Sequence, residues 1–188
     1  MSPRSTGRVA GALFLAAFVL YGGGGALSDR PVGLGLMLAN SVAVALIGAA
    51  LFRALRGSAP RVAWSYLSVR VVEAVLLALG VLFLASGEAA GNDIAYGIAM
   101  FALGAGSVPF FLVLAAQRRV PRWFAWWGAA GYAALAVGAV LEFAVAGAGV
   151  VLAVPGGLFE VAFGFLLLWR GLPGARTGAE EAAAERVA

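Results

Sequence analysis

Six apolar stretches follow one another along the chain, at residues 8–27, 34–55, 62–86, 94–116, 122–147 and 149–171. A helix rises about 1.5 Å per residue, so about 20 residues cross the ~30 Å hydrocarbon layer of a bilayer. Every stretch is that long. The breaks carry turn chemistry: Asp29-Arg30-Pro31, Gly57-Ser58-Ala59-Pro60, Gly91-Asn92-Asp93 and Arg118-Arg119-Val120-Pro121. The break near Gly147 carries no charge. The pattern predicts an all-α integral membrane protein, a compact bundle of six spans over residues 1–172. A polar, Ala-rich tail at 173–188 receives no function. Arg8, the first apolar run and Ala26-Leu27-Ser28 loosely fit a cleavable leader. Removing that run would break the charge alternation described next, so it is read as a span.

Charge supplies orientation. Every one of the 13 basic residues is Arg. Arg4 and Arg8 precede the first span, and three Arg lie in each even-to-odd junction and after the last span. All of these fall on one side of a six-span chain, while the other side has Arg30 beside Asp29, Glu88 and Asp93. The positive-inside rule then puts both termini in the cytoplasm. Arg placed in short junctions reads as a topology signal, so no nucleic-acid partner is expected; membrane lipids are.

Composition narrows the chemistry. The chain is 63% hydrophobic and 12% charged, against about half and a quarter in soluble domains. It contains no Cys and no His, and Lys is absent. Thiol nucleophiles, imidazole bases, thiolate or imidazole metal sites and Lys Schiff bases are excluded. No metal and no cofactor is expected. Carboxylates, Arg, hydroxyls, amides and aromatic faces remain.

Charges inside the spans are therefore the candidates, because each is costly in hydrocarbon and is rarely retained without a role. Tyr66, Arg70, Glu73 and Leu77 fall at i, i+4, i+7 and i+11 and make one stripe on the third span. Arg70 and Glu73 are spaced to pair. Glu160 lies in the sixth span, with Gly156, Gly157 and Gly164 on its face. Glu142 lies towards the outer end of the fifth, where interfacial exposure is the favoured expectation, on a face with Gly131 and Gly138. If all three acids face one cavity with the one Arg, at least one carboxyl should hold a proton, because burial and like charge disfavour the anion. Arg70, Glu73 and Glu160 are the candidate catalytic residues. Tyr66, Glu142, Asn40, Trp64, Tyr96 and Tyr132 are candidates to bind substrate. Asn40, Ser41 and Ser107 are expected to bond buried charges, and Trp123, Phe124, Trp126 and Trp127 to form an interfacial aromatic belt. Pro109 and Pro155 are expected to interrupt the fourth and sixth spans.

Four stretches carry a family resemblance: "GRVAGALFLAAFVL" in the first span, "YLSVRVVEA" in the third, "RRVPRWFAWWGAAGY" entering the fifth, and "VPGGLFEVAFGFLLLWRG" in the sixth. Together they resemble small bacterial membrane proteins grouped as domain of unknown function 4386. Tyr66, Arg70 and Glu73 stand at that family's signature, and the sixth-span stretch carries Pro155, Glu160 and Gly164. The external loops here are short, and Arg170 stands where the family often has Lys. The resemblance implies a compact multi-span helical protein of a bacterial cytoplasmic membrane and brings no activity.

Three functions fit the inventory. An intramembrane enzyme could use a carboxylic acid to start cyclisation or isomerisation of an isoprenoid-like lipophilic molecule, as terpenoid cyclases do. A module binding a lipid or a partner would use the charges structurally. A proton-coupled transporter would titrate the glutamates, and at this size would call for a homodimer.

Overall fold

The computed structural model describes residues 3–172. It is built of six helices: α1 Pro3–Ala26, α2 Pro31–Leu55, α3 Pro60–Ala85, α4 Ala89–Ala116, α5 Arg122–Leu141 and α6 Ala148–Arg170. All six are long and apolar enough to cross a membrane. The tail expected at 173–188 lies outside the described residues. Pro31 and Pro60 stand in the first turns of α2 and α3, where a missing N–H breaks no helical bond. Gly147 precedes α6 at φ 85°, a left-handed conformation that glycine adopts without a Cβ clash.

Two boundaries differ from the pattern. The fourth helix starts at Ala89, so Asn92 and Asp93 lie on its first turns. Polar side chains there can still reach water. The fifth stops at Leu141, and residues 142–147 form a loop where the apolar pattern had suggested continued helix. Both α4 and α6 run unbroken through Pro109 and Pro155.

The helices close into a ring. Each packs on its neighbours in sequence, and α1 packs on α6. The start of α1 and the end of α6 lie at one end, the terminal end, with the loops after α2 and α4. The loops after α1, α3 and α5 form the far end. Small residues set the closest seams. A Cβ at Gly11 would stand 2.5 Å from Gly164 O, so α1 and α6 meet backbone to backbone. Gly131 meets Gly156 between α5 and α6 in the same way. Such approaches replace hydrophobic driving force with dispersion contact in lipid. The outer surface is apolar, with Val19, Val150 and Trp169 exposed.

Side chains fill the terminal half of the ring. Phe110, Phe111, Phe159 and Phe163 form a continuous aromatic layer; Phe111 meets the Phe159 ring edge-on at 4.8 Å. Leu55, Leu114, Leu167 and Leu172 seal it from below. At this end Arg119 donates to Ala54 O at 3.1 Å and to Ser58 Oγ at 2.8 Å, tying the α4–α5 loop to the end of α2. The pattern assigns Arg119 only a topology role; it is also a buried clasp.

Candidate functional site: an arginine shared by two carboxylates

Above the aromatic layer, Arg70 reaches from α3 into the centre of the ring, 2% exposed. Room for its stem comes from α2: a Cβ at Gly48 would lie 2.6 Å from Arg70 Cβ. All three guanidinium nitrogens donate. Nε bonds Tyr66 Oη at 2.9 Å, and Nη1 bonds Glu73 Oε2 at 3.0 Å. Nη2 bonds both Tyr132 Oη and Glu160 Oε1 at 3.2 Å. Tyr132 in turn donates to Glu160 Oε1. The Phe14 ring stands 5.2 Å from the guanidinium carbon, within cation–π range. Three helices, α3, α5 and α6, thus meet on one cation.

The charges do not cancel within the cluster. One guanidinium faces two carboxyls, so neutrality needs one further positive charge, and a proton is the simplest source. Each carboxyl uses one oxygen in these bonds. Glu160 accepts two donors through Oε1, and Glu73 accepts one through Oε2.

Both carboxyls also line a chamber of about 270 Å³ on the far side of Arg70, walled by all six helices. That is slightly below the roughly 300–1,000 Å³ of small-molecule sites. Its walls are mostly apolar and aromatic. Tyr21 of α1 stacks on Tyr96 of α4 across the ring, with centroids 5.7 Å apart, and roofs the chamber. The α1–α6 seam, tight at Gly11, loosens beside the chamber. A Cβ at Gly22 would meet nothing within 4 Å, and one at Gly157 would meet only the Phe18 ring at 3.8 Å. Phe18, Gly22 and Gly157 all line the chamber, so it opens sideways along this seam. A second cavity, about 480 Å³, lies at the far ends of α4, α5 and α6 and shares Tyr96, Met100, Leu135 and Ala153 with the first.

Of the residues singled out by pattern, Arg70, Glu73, Glu160, Tyr66 and Tyr132 are brought together by direct bonds. Asn40 and Tyr96 line the same chamber. Trp64 is not part of it: it is 60% exposed and packs on Phe52 at the surface, centroids 4.6 Å apart. Glu142 is also apart from Arg70. It follows α5, where its carboxylate accepts the Gly147 N–H at 2.9 Å and the Gly149 N–H at 2.6 Å. Those bonds hold its carboxyl below the usual carboxylate range. Ser41 donates to Met37 O, while Asn40 Oδ1 and Ser107 Oγ are buried without a partner, so none of the three bonds a charge. Within the expected aromatic belt, Trp123 and Trp126 are exposed, but Phe124 and Trp127 pack inward on Phe159. Pattern reading missed Phe14, Tyr21, Phe159 and Phe163. Their spacing held a signal: Phe14, Phe18 and Tyr21 fall at i, i+4 and i+7, and Phe159 and Phe163 at i and i+4.

The protein is thus an integral membrane protein of six helices, with an ion cluster at the base of a chamber. Residues 87–171, from just before α4 to just after α6, match the family described as Domain of unknown function (DUF4386). That match takes in the two resemblance stretches of α5 and α6, with Tyr132 and Glu160; the stretch holding Arg70 and Glu73 precedes it. No curated protein and no solved structure matches the chain.

Proposed function

We propose that this protein admits a lipophilic, isoprenoid-like molecule from the bilayer into the chamber and rearranges it by proton transfer, in an acid-initiated cyclisation or isomerisation. The observation that carries this reading is the shared guanidinium: Arg70 bonds two carboxyls, both of which line an apolar, aromatic chamber. Glu160, with two donors, serves as the anion that balances Arg70. Glu73, with one, carries the proton. In the reaction, that proton adds to one carbon of an alkene, and the π pair becomes the new C–H bond. The cation left on the other carbon is attacked by a second alkene, closing a ring and passing the positive charge to that alkene's far carbon, which then loses a neighbouring proton; without ring closure the first cation loses a neighbouring proton directly. The released proton returns to Glu73, so the formula of the substrate is unchanged. Phe14, Tyr21 and Tyr96 offer ring faces to the cation, and the apolar walls keep water from quenching it. Both termini lie in the cytoplasm on this reading, by the Arg alternation, and the membrane is the bacterial cytoplasmic one.

A second reading, a non-catalytic module that binds a lipid or partner, is favoured by one observation: every guanidinium nitrogen of Arg70 is already paired within the protein. Transport, with or without a homodimer, has less support, because the aromatic layer closes the terminal half.

The test is turnover of linear unsaturated isoprenoids by the detergent-purified protein in D2O, read by mass spectrometry. The wild type is expected to place deuterium on carbon. Glu73→Gln should lower the rate at least about a hundredfold while retaining bound lipophilic material. If Glu73→Gln and Glu160→Gln lose stability alone, or the wild type incorporates no deuterium, acid catalysis is wrong and the binding module stands.

A further inference from the structure

Asn40 is the unexplained polar residue of the chamber. It is 3% exposed, it lines the chamber from α2, and its Oδ1 is buried with no hydrogen-bond partner. A buried amide oxygen left unpaired destabilises the protein that carries it. In a span this apolar, Leu or Val at the same position would remove the cost. Asn40, Val44 and Ile47 all line the chamber at i, i+4 and i+7, so the amide is on the inner face of its helix.

We infer that Asn40 is the residue that recognises the chamber's ligand: its side-chain amide, turned about χ2 so that the enclosed Oδ1 faces the chamber, accepts a hydrogen bond from the hydroxyl of a lipophilic alcohol. The inference rests on reading the chamber as a ligand site, and not on the proton chemistry proposed there. The ligand class follows from what the rest of the chamber offers. A carboxylate brings no donor to Oδ1 and would add a third negative charge beside one Arg. An ammonium group would be drawn to Glu73 and Glu160 and away from a neutral carbonyl oxygen. A hydroxyl is a small neutral donor, and an apolar body behind it suits the remaining wall. Length agrees as well. Gly48 abuts Arg70, and Asn40 lies two turns from Gly48 towards the far end, about 12 Å along the helix. The chamber thus has two poles, an acceptor at Asn40 and the ion cluster at Arg70, with apolar wall between. A molecule held by its hydroxyl at Asn40 runs its unsaturated chain towards the carboxyls.

The test measures binding of geraniol and of its methyl ether to the detergent-purified full chain, by calorimetry and by thermal shift. The ether keeps the chain and loses the donor. Wild-type protein is expected to bind the alcohol about ten- to a hundredfold tighter, as sites with an unpaired buried acceptor discriminate. Asn40→Leu should bind both compounds alike, with the affinity the wild type has for the ether. Without ligand it should melt no lower than wild type, since an unpaired buried oxygen has been removed; a purely structural Asn40 would make it melt lower. Asn40→Asp keeps an acceptor and should keep the preference for the alcohol. Should Asn40→Leu fail to fold, the wild-type preference and Asn40→Asp decide. Equal binding of the two compounds by wild type, or a preference that survives in Asn40→Leu, overturns the inference and leaves the chamber as a ligand site. Binding of neither compound overturns both. Alcohol-selective binding without deuterium incorporation retains Asn40 and removes the catalytic reading.

Discussion

Arg70 on α3 and Glu160 on α6 stand 90 residues apart in sequence and 3.2 Å apart in space, Nη2 to Oε1. The bond crosses the ring and not a seam, since α3 and α6 are not packed on each other. The cluster is therefore a strut through the middle of the bundle. Removing one partner of a buried pair leaves an uncompensated charge, at about 3–5 kcal/mol. Arg70→Met should lower unfolding free energy by that amount in denaturant titrations followed by Trp fluorescence. Adding Glu73→Gln and Glu160→Gln to it should restore most of the loss. A single Arg70→Met variant no weaker than the exposed control Arg53→Met would refute the strut.

The two tyrosines on Arg70 are not equivalent. Tyr66 accepts one bond, from Nε. Tyr132 accepts from Nη2 and donates to Glu160, linking cation and anion. Losing one ordinary hydrogen bond costs about 1 kcal/mol, and leaving a charged group short of a donor costs about 1–3 kcal/mol. Tyr132→Phe should therefore destabilise more than Tyr66→Phe in the same titration. The reverse order would mean that Glu160 does not depend on Tyr132.

Periodicity alone gives the number of helices here, because a bilayer demands long apolar segments and short polar breaks. It gives Arg70 and Glu73 too, since two charges in an apolar run stand out and share a helix. The partnership with Glu160 depends on ring closure between α1 and α6, which no local pattern encodes. Trp64 and Tyr96 look alike as aromatic residues in spans, yet one faces outward and the other roofs the chamber. In a membrane helix both faces are apolar, so the contrast that marks an inner face in a soluble helix is missing. Glu142 misleads for a related reason: Phe143, Ala144 and Val145 continue the apolar run, although the helix has already ended.

Small residues at the seams set the next expectation. A Cβ at Gly11 would meet Gly164 O and Leu168 N at 2.5 Å, both of them backbone atoms that cannot turn aside. Gly11→Ala should push α1 from α6 and destabilise by about 1–3 kcal/mol, the cost of overpacking. Gly22→Ala, on the same helix with nothing within 4 Å, should be neutral or slightly stabilising through its better helix propensity. Thermal melts of the two variants in one detergent compare them directly. Equal losses would mean that the α1–α6 seam is looser than its geometry indicates.

Glu142 gives a pH expectation at the far end. Its carboxylate is exposed and accepts two backbone N–H bonds, from Gly147 and Gly149, which hold the α5–α6 loop in register with the start of α6. Its folded-state pKa is lowered by those bonds. A lowered carboxyl contributes stability above the unfolded-state value, about 4.3 for Glu, and loses it as pH falls through the folded value. Amide exchange at Gly147 and Gly149 should therefore be slow at neutral pH. After correction for intrinsic chemistry, it should lose protection as pH falls below about 4. Glu142→Gln still accepts through its amide oxygen but carries no charge, so protection should be weaker at neutral pH and flat through the acid range. Because Glu142 lies outside the Arg70 cluster, this variant should leave ligand binding in the chamber unchanged. An acid transition that persists in Glu142→Gln would assign the pH dependence to another group.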